Sequence, residues 1–248
     1  MEISISSSIN NLLGECPRWH VQERKIYWVD IDAYKLYRKD YLTGKIEFCQ
    51  FEEEIGCFVF NETGGFVLAM RSGFYFMDDW NAALKFIDDP QINNELTRFN
   101  DGRCDAHGRF LAGTVYPPKD YGGAALYTLN NDLSIQQLQD DVLTANGLAF
   151  SPDNQWLYFS DTPRHVIYRY PYSLETGNVG KREVFYQFPE GHGRPDGAAV
   201  DCEGYYWSAL YEGGRVVRIS PSGNIVKELV IPARCPTMVA FGGEDLKT

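Results

Sequence analysis

No stretch of the 248-residue sequence is apolar for long enough to span a bilayer. The opening residues, Met1 to Leu13, carry an acid at position 2 and no continuous apolar run, so they do not read as a secretory signal. Positive charge is scarce. With 23 Lys and Arg against 34 Asp and Glu, the net charge is −11, and duplex binding would need a basic face to neutralise phosphates. The six cysteines, Cys16, Cys49, Cys57, Cys104, Cys202 and Cys235, form no CxxC pair and no cluster, a pattern that predicts free thiols in a reducing, cytoplasmic setting. The sequence also lacks a G-x-S-x-G elbow, a Walker A loop and an H-E-x-x-H helix. Of its four histidines, His20 and His107 fall in predicted inter-strand turns, and His165 and His192 have no metal-ligand spacing.

What the chain has in abundance is aromatic residues, at 15%, together with 23 glycines and 12 prolines, a composition that favours short strands and tight turns over helices. A repeat runs through it. Ile26–Asp30, Gly65–Ala69, Arg109–Gly113, Trp156–Ser160 and Tyr205–Ala209 are similar strand-like segments, four of them preceded by turn clusters such as Asp105-Ala106-His107-Gly108 and Ser151-Pro152-Asp153-Asn154. A second strand follows each, as in Lys35–Arg38 and Val166–Arg169. Outer strands are predicted at Lys45–Phe51, Ser134–Asp140, Arg182–Phe188 and Asn224–Ile231. Four short antiparallel strands in a unit of roughly 40–50 residues make the blade of a β-propeller, the competing arrangement being a β-sandwich.

The first strand of each unit begins at Glu15, Gly56, Asn100, Asn146, Asp196 and Thr237, and in all six the hairpin turn starts five residues later. Innermost strands line the channel of a propeller, so these six positions should converge at one mouth. Any one of them, within Asn-Gly, Asp-Gly or Asn-Asp-Gly, is also a good turn residue. Together, two carboxylates and two carboxamides describe a site. Glu15, Asn146 and Asp196 offer only oxygen donors, suited to calcium, magnesium or manganese, with zinc a further possibility. Two buried carboxylates with no cation between them would be costly.

The stretches Gly14-Glu15-Cys16-Pro17, Arg98-Phe99-Asn100-Asp101-Gly102, Ala145–Asp153, Pro195-Asp196-Gly197, Gly213–Val216 and Phe241-Gly242-Gly243 resemble the gluconolactonase family that includes regucalcin, over essentially the whole chain. The resemblance implies an all-β, six-bladed propeller over residues 1–248. It also implies one divalent cation in the channel (calcium, zinc, manganese, magnesium or iron) and hydrolysis of a sugar lactone to the aldonic acid. By the same resemblance Glu15, Asn146 and Asp196 match the metal ligands, Asp196 is also the candidate general base, and Arg98 and Asn100 match substrate-binding positions.

Two departures stand out. The lid after Gly113-Thr114 has proline where the family carries a sugar-binding carboxylate, which leaves Tyr116 as the candidate contact. The sixth blade has only Pro236–Gly243 and the start of a further strand, which leads to the expectation of an incomplete blade in a shortened chain, with Glu2–Ser6 as its outer strand. A calcium-binding regulatory propeller without turnover, and a hydrolase of another lactone or an organophosphate, are the alternatives. No feature calls for a nucleic-acid, membrane or obligate protein partner.

Overall fold

The computed structural model describes residues 3–92 and 94–248. Among the described residues, twenty strands form five antiparallel sheets, each taking four strands in chain order. The first blade is β1 (Gly14–His20), β2 (Lys25–Asp30), β3 (Lys35–Asp40) and β4 (Ile46–Gln50). The second is β5 (Ile55–Phe60), β6 (Phe66–Met70), β7 (Gly73–Met77) and β8 (Leu84–Asp88). The third is β9 (Arg98–Cys104), β10 (Phe110–Val115), β11 (Ala124–Leu129) and β12 (Ile135–Val142). The fourth is β13 (Ala145–Phe150), β14 (Trp156–Asp161), β15 (Val166–Pro171) and β16 (Glu183–Gln187), and the fifth is β17 (Arg194–Val200), β18 (Tyr206–Tyr211), β19 (Arg215–Ile219) and β20 (Ile225–Val230). A single 3₁₀ turn, Thr162–Arg164, links β14 to β15. The innermost strands neighbour one another in the order β1, β5, β9, β13, β17.

The four outer strands named from the sequence are present within a residue or two, as β4, β12, β16 and β20, while β8 went unread behind its charged sequence Leu84–Asp88. His107 lies in a turn as expected; His20 instead ends β1, its ring edge-on to Phe60 at 4.6 Å.

The expectation of six blades is corrected: the structure has five. The segment expected to open a sixth, Thr237–Gly242, forms no strand. Thr237 is held by single bonds, from Gly197 N–H to its carbonyl at 2.6 Å and from its Oγ1 to the Gly14 carbonyl at 2.6 Å, while Gly242 bonds back to Thr248. Thr237 thus lies between β17 and β1. A sheet needs a ladder of partners, and among the described residues Val239–Phe241 pairs with no strand. Ile3–Ser6, expected as the closing outer strand, is also irregular, and Glu2 lies outside the described residues.

The core lies between blades. Strands sandwiched there are apolar on both faces, as in Phe110–Val115, buried along its whole length. Tyr27, Phe58 and Phe66 pack between the first two blades with ring centroids 5.7–6.4 Å apart, and Tyr158, Phe185 and Tyr206 fill the space between the last two. Truncating a fully buried ring such as Phe58 to Ala costs about 3–5 kcal/mol. These side packings fix the blades around the axis, and so fix the innermost strands.

Candidate active site at the channel mouth

Each innermost strand carries a bulge at the same level. On β1 four residues, Glu15 to Arg18, face three on β2, Val29 to Tyr27, and the same excess of one occurs from Asn146 to Ala149, from Pro195 to Ala198 and from Phe99 to Gly102. β5 has its own between Ile55 and Cys57. A bulge inserts one unpaired residue and re-aims its side chain. In consequence Glu15, Asn100, Asn146 and Asp196 are all buried together with Asp101. Cys16, immediately after Glu15, takes a φ of 50°, a left-handed conformation seldom adopted by a non-glycine residue, and its N–H donates to Glu15 Oε2 at 3.2 Å. On the second blade's inner strand the corresponding position is Gly56, where a Cβ would strike the Phe99 carbonyl.

A hydrogen-bonded line crosses the mouth. Arg98 Nη1 donates to Asn100 Oδ1 at 2.9 Å, and Asn100 Nδ2 donates to Asn146 Oδ1 at 3.0 Å. Asn146 Nδ2 donates to Thr162 Oγ1 at 2.9 Å, which donates to the Pro195 carbonyl at 2.8 Å. These partners fix which end of the Asn146 amide is oxygen and where it points.

Burial pushes the Glu15 carboxyl well above its ordinary value, and the charges of Asp196 and then Asp101 push it further. Asp196 is raised well above its ordinary value by burial first and by Asp101 second, against smaller opposing effects of Arg194, the Gly197 N–H and Asn146. Asp101 was not singled out by the sequence, because Asn-Asp-Gly also reads as a turn. In the structure its oxygens accept from the N–H groups of Gly102, at 2.7 Å, and Leu148, at 2.9 Å. Among the described residues, Glu15 and Asp196 have no ion-pair partner.

Two buried, uncompensated carboxylates beside an oriented amide oxygen form a donor set that fits a divalent cation with hard-ligand preference. No three side chains of His, Cys, Asp and Glu alone gather into a metal cluster among the described residues; the candidate set completes its third position with a carboxamide.

Arg98 begins β9, and burial pulls its guanidinium below the usual value. Its strand partner is Val115, so the loop from Tyr116 onward leaves from the same end of the blade. Tyr116 makes no bond to the Asn100–Asn146 line. Its ring packs on Tyr121 at 4.7 Å, and the Tyr121 hydroxyl, burial and the Asp120 carboxylate together raise its hydroxyl above the ordinary phenol value.

Residues 13–248 match the SMP-30/gluconolactonase/LRE-like region. The chain is 48% identical over 239 residues to a 6-deoxy-6-sulfogluconolactonase of Pseudomonas putida, covering 96% of this chain and 82% of that protein. It is 38% identical to a pentonolactonase of Haloferax volcanii, covering 94% and 79% respectively. Among solved structures, a calcium-binding regucalcin of Agrobacterium tumefaciens superposes with a TM-score of 0.92 at 25% identity, covering 98% of this chain and 82% of that one. With its bulged inner strands, its oxygen-lined channel mouth and this match over nearly its full length, the chain belongs to the SMP-30/gluconolactonase family.

Proposed function

We propose that the protein is a divalent-cation-dependent lactonase that opens a sugar lactone to the aldonic acid. The observation that carries the reading is the gathering of Glu15, Asn146 and Asp196 at one channel mouth, continued by Asn100 and Arg98, in a family whose relatives include lactonases. Glu15, Asn146 and Asp196 would hold the cation. When bound, it supplies Lewis-acid stabilisation of the oxyanion that develops on the lactone carbonyl.

The remaining chemistry belongs to the chain. Arg98 and Asn100 hold sugar hydroxyls, and Tyr116 adds a contact from the loop above. Asp196 takes a proton from water as that water adds to the carbonyl carbon. Collapse of the tetrahedral adduct breaks the ring C–O bond, and the proton passes from Asp196 to the departing ring oxygen. A lactone is an activated ester, so the reaction needs no serine nucleophile.

The test is acid release from a panel of aldonolactones, including 6-deoxy-6-sulfogluconolactone and pentonolactones, with and without chelator. Turnover of at least one lactone, abolished by chelation and restored by a divalent cation, supports the proposal. Cation binding with no turnover of any lactone would favour the regulatory reading.

A further inference from the structure

The innermost strands run from the candidate active site to the opposite mouth of the channel. Arg18 lies three residues beyond Glu15, and Arg103 three beyond Asn100, roughly 10 Å along their strands at about 3.3 Å per residue. There the ends of the inner strands enclose a cavity of about 390 Å³, lined by both arginines and by Trp19, Phe60, Phe150 and Phe241. None of these residues belongs to the lactone site.

Each guanidinium spends only part of its donor set on the fold. Arg18 reaches the Phe58 carbonyl through Nε at 3.3 Å and the Gly102 carbonyl through Nη2; Arg103 reaches the Leu148 carbonyl at 3.1 Å and the Ala198 carbonyl at 2.7 Å. Nη1 of both has no protein acceptor among the described residues, and neither cation has an ion-pair partner there. The neighbouring carboxylate, Asp101, spends its oxygens on the Gly102 and Leu148 N–H groups. Burial, followed by the like charge of Arg18, pulls Arg103 down to about 10. Against burial, Cys16 and Asp101 by contrast hold Arg18 above its ordinary value, so the cost of placing two guanidiniums side by side at an open cavity falls on Arg103, and an anion there would relieve it. A tetrahedral oxyanion accepts from the free edges of both at once.

We infer that this lower cavity is a second ligand site, in which Arg18 and Arg103 bind a tetrahedral oxyanion, free or as the head group of a small organic phosphate. If the arginines serve only as ties between strands, no such binding occurs.

Isothermal titration calorimetry with inorganic phosphate, at fixed ionic strength, tests it on the intact chain. The expected result is one phosphate per chain, weakened at least about tenfold in Arg18→Gln by loss of charge-assisted hydrogen bonds and retained in Arg98→Gln at the other mouth. Phenyl phosphate binding more tightly than phosphate identifies an organic phosphate resting on the Trp19 and Phe150 rings, and equal binding identifies the free ion. No saturable binding to the parent chain, binding unchanged in a folded Arg18→Gln, or binding lost in Arg98→Gln would overturn the inference. Should Arg18→Gln fail to fold by circular dichroism, phenylglyoxal labelling of the parent chain decides: phosphate must protect Arg18 and Arg103, and unchanged labelling of both would sink the proposal.

Discussion

Asn100 Nδ2 donates to Asn146 Oδ1 at 3.0 Å, tying the innermost strand of the third blade to that of the fourth across the channel mouth. The bond joins a proposed substrate contact to a proposed cation ligand, so the Asn146 oxygen is oriented before either ligand arrives. Asn100→Ala removes this donor, the second bond from Nδ2 to the Ala145 carbonyl at 2.9 Å, and one of the two acceptors of Arg98 Nη1, leaving the Phe99 carbonyl. Partners that orient a metal ligand typically contribute about 10–100-fold in affinity or activity. Asn100→Ala is expected to lose that much in kcat/KM, with weakened cation affinity by calorimetry alongside it. An unchanged affinity would show that Asn100 acts on substrate alone.

Removing the divalent cation should leave Glu15 and Asp196 repelling each other, and the sign of the pH effect follows. Both carboxyls are raised above their ordinary values, by burial first. The folded chain therefore keeps protons there that the unfolded chain has lost, and this part of stability falls as pH rises above the ordinary carboxylate value. The chelated protein should thus lose melting temperature from these groups between about pH 5 and pH 7, and added cation should raise it more at the upper end of that range. A cation-induced shift that is equal at both pH values would argue against binding at these carboxylates.

Gly147, next to Asn146, holds the bulge of β13 with a φ of +60°. A Cβ there would meet the Tyr206 hydroxyl and Ser160 Oγ, which are themselves bonded at 3.2 Å. Gly147→Ala should cost about 1–3 kcal/mol in urea unfolding, from overpacking together with the left-handed backbone. Stability equal to the parent would mean that the bulge can relax, and the rigidity ascribed to Asn146 would fall with it.

The sequence made the inner strands legible because every unit places a hairpin turn five residues after the start of its first strand. Glu15, Gly56, Asn100, Asn146 and Asp196 all lie in innermost strands at one level. The bulges that turn those side chains inward were not legible, since an extra residue in one strand is visible only against its partner. Asp101 hid inside a turn-like triplet, and the pairing of Arg18 and Arg103 at the far mouth depends on strand register, which a single sequence does not carry. Thr237 misled for the opposite reason: its motif matched a first strand, but strand formation depends on neighbours that the motif does not encode.

Turnover of lactone by Asp196→Asn at saturating cation is the most direct measurement. The substitution keeps an oxygen ligand and removes the base, and saturation separates weaker cation binding from lost proton transfer. A fall of about 10²–10⁴-fold in kcat is expected, the usual contribution of a positioned general base. Hydrolysis at the parent rate would contradict the assignment of Asp196 as the group that takes the proton from water.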